Sequence, residues 1–386
     1  MKIKKLLVLV LLASLAVASY GQDLGDLETD LRTIFTGIAQ EITPSLHQMA
    51  MAGNDLVGEA KLRGFTGFYF SLAGVNLTTM DGLGSVLSAD STDWKFDLIS
   101  IPDIIKDSLG EGGDAETYFN TGTTQAMALP SLRIGFGFPL PLGLELLANA
   151  MYLPGALLDM GLGLAGDAVP EALQSGAKVD MFTLGGIIRK PILSDKRGFF
   201  RPSVSVGASY TYSSFSFGLP NFNLDDLLDE PVNISADLGN LKMNGEVIFA
   251  TTTHSLGAVL HVSKTLFWVL TPYAKVGAYY HSSEYESVFE VTASAATVDE
   301  FEVETETIAP QDIDASTGII KTSDVSIIVS SGLEIKLLPI TLTTGVSLDL
   351  ERPIVGIPSI SDLTSGEFMG LNLNGLSIML AIRIQI

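Results

Sequence analysis

The sequence predicts an all-β fold: a closed antiparallel transmembrane β-barrel of about 10 strands, range ~10–14, led by a helical N-terminal segment. Three observations predict it. The first is alternation. In residues 254–281, HSLGAVLHVSKTLFWVLTPYAKVGAYYH, the even positions Leu256, Ala258, Leu260 and Val262, then Leu270, Pro272, Ala274, Val276, Ala278 and Tyr280, are apolar. The odd positions Ser255, Gly257, His261 and Ser263, then Thr271, Tyr273, Lys275, Gly277, Tyr279 and His281, are mostly small or polar, and Val259 and Val269 break the rule. A period of two sends alternate side chains to opposite faces of a strand. One face suits lipid and the other a polar interior.

The second observation is hydrophobicity without a spanning helix. The chain is 47% hydrophobic and its mean hydropathy is +0.37. Lys2, Lys4 and Lys5 followed by the apolar run 6–18 form a secretory signal peptide over 1–21. Beyond it no apolar run reaches the ~18 residues a spanning helix needs. The greasiest stretch, 129–169, is broken by Pro130, Arg133, Pro139, Pro141, Glu145, Pro154 and Asp159. The third observation is the sorting of connections. Short turns at 139–141, 191–198, 265–270 and 338–339 alternate with long polar segments. Outer-membrane barrels have short periplasmic turns and long external loops.

Along the chain, 22–62 is the N-terminal helical segment, a plug in the lumen or a cap beneath it. Leu24, Leu27, Leu31, Ile34, Phe35, Ile38 and Ile42 recur at helical spacing, and Thr43-Pro44 caps a second, shorter helix. Residues 63–386 form the barrel. Its alternating runs are 64–76, 126–138, 142–152, 177–190, 199–217, 241–264, a seventh from 271, 325–337, 340–351 and a last run ending at 386. The alternating acidic stretch 301–306 adds an extra hairpin outside these ten.

Face assignment places Arg133, Glu145, Arg189, Arg201, Lys275, Glu334, Lys336, Asp349 and Arg383 on the lumen side. Arg133, Glu145, Arg189, Arg201, Glu334 and Arg383 lie close to the short-turn end, so they should form a charged belt there. Such a belt is either a salt-bridged network closing the lumen or a constriction selecting solutes. Trp268, beside a short turn, suits an aromatic girdle.

The formal charge of −22 argues against nucleic acid, whose phosphates require Lys and Arg. No cysteine, no His/Cys metal spacing and no Gly-rich phosphate loop occurs, so no cofactor or metal is expected. Of four histidines, His281 alone neighbours serines and a glutamate, and adjacent strand residues face opposite ways, so no enzyme is expected.

These features resemble bacterial outer-membrane β-barrel proteins over essentially the whole mature chain. EITPSLHQMAMAGNDLVGEAKLRGFTGFYFSLAGVN and LPSLRIGFGFPLPLGLELLANAMYLP look like an uncharacterised family of exported barrels with Leu-Pro-punctuated hairpins. A helical N-terminus ahead of a barrel is similar to the FadL-type long-chain fatty-acid transporters, whose N-terminal segment plugs the barrel. The resemblance implies outer-membrane lipid as solvent, the barrel-assembly machinery as a partner and passive passage of small or hydrophobic solutes. The alternative is a non-conducting surface barrel serving adhesion or envelope structure.

Overall fold

The computed structural model describes residues 57–62, 68–80, 125–153, 178–194, 201–223, 233–235, 239–298, 304–337, 340–350 and 376–385, with the single positions Arg32, Thr33, Thr36, Thr43 and Met51. The predicted signal peptide lies outside these residues, as do most of the predicted helical stretch and most of the long connections. The five single positions have helical backbone.

The described chain forms one curled antiparallel sheet of twelve strands. They are β1 Phe68–Met80, β2 Gln125–Pro139, β3 Glu145–Leu153, β4 Lys178–Leu193, β5 Ser203–Asn223, β6 Asn233–Ser235, β7 Gly239–Ser263, β8 Leu270–Val298, β9 Glu304–Asp314, β10 Ile320–Leu337, β11 Ile340–Asp349 and β12 Leu376–Gln385. Strands β1 to β5 pair consecutively. β5 passes over β6 to pair with β7, and β7 pairs with β8. β8 passes over β9 to pair with β10, β10 with β11, β11 with β12, and β12 with β1. Short β6 borders only the far end of β7, and β9 only the far end of β8.

Alternation sets the two faces. Polar side chains including Thr183, Ser205, Thr253, Ser283, Thr343 and Ser377 are buried on the concave face. Ile134, Leu184, Ile188, Leu256, Leu260, Val276, Leu380 and Ile382 are exposed on the convex face. This is the reverse of a water-soluble protein, whose large aliphatics fill the interior. Along the convex face of β8, Leu270 to Tyr280 gives way to Ser282, Glu284 and Glu286. The ladder continues there without the apolar signal, which is why β8 runs 29 residues, well past the predicted membrane segment.

Two tight turns join strands at one end. Leu140 donates its N–H to the Leu144 carbonyl at 2.7 Å around a 3-10 turn, Pro141–Gly143. There Gly143 takes φ 71°, a left-handed backbone that glycine adopts without penalty. The 266–270 turn is closed by Leu266 N–H to Leu270 O at 2.6 Å and leaves Trp268 exposed on the rim.

Candidate functional site

The apolar exceptions on the concave face define where the site lies. Val57 and Leu62 pack with Leu147, Met379 and Ala381. Met51 packs with Val259, Tyr279 and Ile328. Val259, which interrupts the alternation of β7, therefore meets a residue from the N-terminal segment. Residues 57–62, VGEAKL, form a strap across the concave face near the short-turn end.

Wall side chains hold the strap mainly by its backbone. Gly58 N–H donates to Glu334 Oε2 at 2.7 Å, and Leu62 N–H to Glu145 Oε1 at 3.0 Å. Ala60 N–H donates to Ser263 Oγ at 2.7 Å. His261 Nε2 lies 3.0 Å from the Gly58 carbonyl, and its Nδ1 lies 3.1 Å from Arg189 Nη1. A guanidinium can only donate, so His261 Nδ1 accepts and Nε2–H donates to Gly58. At the strap's edge Lys61 Nζ donates to Ser194 Oγ at 2.8 Å.

The same wall groups pair with one another. Arg189 Nε meets Glu145 Oε2 at 2.9 Å, and Arg383 Nη2 meets Glu334 Oε1 at 2.9 Å. Lys336 bridges Glu59 of the strap and Glu334, the latter at 3.6 Å. Glu334 is 0% exposed, so its charge depends on these partners. Tyr273 lies beneath the strap, edge-on to His261 at 6.1 Å, with the Lys275 ammonium 5.5 Å from its ring centroid. A Cβ on Gly58 would fall 2.6 Å from Tyr273 Cδ1, so the close approach requires glycine.

Of the predicted belt, Glu145, Arg189, Glu334, Lys336 and Arg383 come together around the strap. Arg133 is buried beside them, sharing a register level with Arg383 through Ser71. Lys275 is buried in register with His261. Asp349 is buried at the opposite end of β11. Arg201 does not belong to the belt. It is exposed ahead of Ser203, where β5 begins, and its carbonyl accepts from Lys264 Nζ at 3.1 Å. Alternation orients a side chain only within a ladder, and Arg201 precedes it.

Sequence reasoning missed Glu59, Gly58 and Ser263. It also missed a second polar cluster in which His281 is bonded at 2.7 Å on each ring nitrogen, by Ser255 and Ser326. The usable signal was the set of apolar residues on an otherwise polar face: Leu147, Val259, Ile328, Met379 and Ala381 mark the footprint of the N-terminal segment.

No family model matches the chain, and no curated protein matches it. Among solved structures, the RagAB peptide transporter is similar at 10% identity with a TM-score of 0.19, over 76% of this chain and 43% of that one. The RagAB peptide importer in its open-open state gives 11% identity and a TM-score of 0.18, over 76% and 42%. OmpT of Vibrio cholerae gives 7% identity and a TM-score of 0.13, over 83% and 97%. This chain thus spans less than half the length of the RagAB chains it resembles, and no common fold follows from such scores.

Proposed function

We propose that the protein is an integral outer-membrane β-barrel that passes small solutes passively, its lumen closed at the short-turn end by the strap. A closed wall is supported by the pairings: β1 to β5, β7, β8 and β10 to β12 each have a partner on both sides. The observation that carries the membrane reading is the inverted pair of faces, because hydroxyls and paired charges inside with aliphatics outside suit lipid as solvent. The short turns then lie in the periplasm. Insertion would use the barrel-assembly machinery.

Planar-bilayer recording tests the channel reading. The full chain should stay mostly closed, and removal of residues 23–62 should open steps of stable conductance. A second reading, a non-conducting surface barrel with an adhesion or envelope role, is favoured by the ion pairs packed around the strap. It predicts no conductance after the deletion although heat-modifiable migration shows an intact barrel.

A further inference from the structure

The wall changes character away from the strap. One register row crosses four strands as Thr183, Ser213, Thr253 and Ser283, and all four side chains are buried on the concave face. Thr253 and Ser283 bond to each other at 3.1 Å. One row toward the strap, His281 sits between Ser255 and Ser326, and two serine hydroxyls satisfy a neutral imidazole in either tautomer. One row the other way lie Phe215, Thr251 and Tyr285.

Three hydroxyls here point to a ligand. Those of Thr183, Thr251 and Tyr285 are buried and have no hydrogen-bond partner among the described residues. A buried hydroxyl without a partner costs free energy, so partners of matching chemistry favour this wall. The fixed charge is cancelled. With Glu59 and the exposed Asp324, which pairs in register with His281, included, the charges described on the inner wall are Arg133, Arg189, Lys275, Lys336 and Arg383 against Glu59, Glu145, Asp324, Glu334 and Asp349, a net of zero. A wall this close to neutral offers no strong field to concentrate either sign of ion. Hydroxyls that donate and accept, with the Phe215 and Tyr285 rings beside them, suit an uncharged molecule bearing both hydroxyls and C–H faces.

We propose that this stretch of the lumen binds neutral polyhydroxylated solutes of the saccharide class and selects them over ions of equal size. The proposal rests on the channel reading and names its substrate. The test compares maltose with maltobionate, its carboxylate of nearly equal size, by swelling of proteoliposomes carrying the full chain or Gly58→Leu, together with calorimetry of the full chain. Faster maltose swelling through Gly58→Leu, with Tyr285→Phe and Thr183→Val each weakening maltose binding about fivefold through one lost hydrogen bond, supports the site. Equal swelling with both solutes overturns the selectivity and leaves the channel standing. Absence of swelling with either, in barrels that still migrate heat-modifiably, overturns the channel reading. Calorimetry then decides the site on its own, and no heat with maltose sinks it.

Discussion

Replacing Gly58 with Ala should release the strap. The added Cβ would lie 2.6 Å from Tyr273 Cδ1, 3.0 Å from Glu334 Oε2 and 3.1 Å from Tyr273 Cε1. Carbon atoms settle at ~3.5–4.0 Å, so the strap or the ring must give by about 1 Å. The ring has little room, because its hydroxyl end already crowds Gly332 and Gly345 and its edge meets His261. The strap is the part that moves. A shift of about 1 Å stretches the 2.7 Å bond from Gly58 N–H to Glu334 beyond hydrogen-bonding range and weakens the bond from His261. A hydrogen bond to a charged group contributes roughly 1.5–3 kcal/mol and a neutral one about 1. Losing ~2–4 kcal/mol raises the released population about 30-fold to 1,000-fold. The chain has no cysteine, and Ala60 is 0% exposed in the strap, so Ala60→Cys reports release through maleimide labelling. Labelling should be slow in that background and faster by the stated factor when Gly58→Ala is added. Equal labelling rates in two folded proteins would refute the steric account.

Other perturbations follow from the same geometry. His261→Phe keeps a ring but loses the bonds to Gly58 and Arg189, so labelling at Ala60→Cys should rise about fivefold or more. Joining Glu59→Cys to Lys336→Cys with a short thiol cross-linker should abolish any conductance, and reduction of a cleavable linker should restore it. Glu334→Gln removes the carboxylate that faces Arg383 and Lys336 and should destabilise the fold by ~3–5 kcal/mol, read as a lower temperature of unfolding. At the far end of β9, Asp314 accepts the Ser316 N–H at 2.9 Å, which holds its carboxyl below the ordinary range. Its folded value lies below the unfolded one, so the stabilisation is present above the unfolded value of ~3.9 and is lost as pH falls past it. The protection factor of the Ser316 amide, its exchange rate compared with that of an unstructured amide at the same pH, should stay level down to about pH 4 and fall below it.

Much of this fold is legible in the sequence because alternation is a local property. Every strand of the doubly partnered set overlaps a run of small-or-polar residues alternating with apolar ones. The turn at 266–270 falls at a predicted break, whereas the turn at 141–143 lies two residues beyond the predicted 139–141, so that Leu142 belongs to the turn and not to a strand. The limits are physical too. The upper half of β8 carries polar residues on its convex face, so its ladder leaves no apolar trace. Arg201 shares the parity of the inner wall but sits before the first ladder bond of β5. The strap is least visible. VGEAKL has no periodicity, and its partners Glu145, Ser263 and Glu334 lie 83, 203 and 276 positions away. No local pattern encodes contacts of that range. Only the misplaced apolar residues of the inner wall register them, and they state that something docks there without saying what.

The way charge is shared argues that the strap is separable from the wall. A buried carboxylate stripped of its partner is strongly unfavourable, so a permanent floor could leave wall charges dependent on it. Here each wall acid that holds the strap also has a basic partner on the wall. Glu145 keeps Arg189, and Glu334 keeps Arg383 and Lys336 when Gly58 and Leu62 leave. Lys336, which loses Glu59, retains Glu334. The strap in turn gives up chiefly backbone bonds, which water replaces, and carries Glu59 out to solvent where a carboxylate is well hydrated. Departure therefore costs hydrogen bonds, the Glu59–Lys336 ion pair and the apolar packing of Val57 and Leu62, but leaves no buried charge unpaired on either side. That asymmetry suits a reversible closure and sets a discriminating expectation. Raising ionic strength should accelerate Ala60→Cys labelling only modestly, through the single Glu59–Lys336 pair that joins strap to wall, whereas weakening the apolar contact by Leu62→Ala should accelerate it by about tenfold or more.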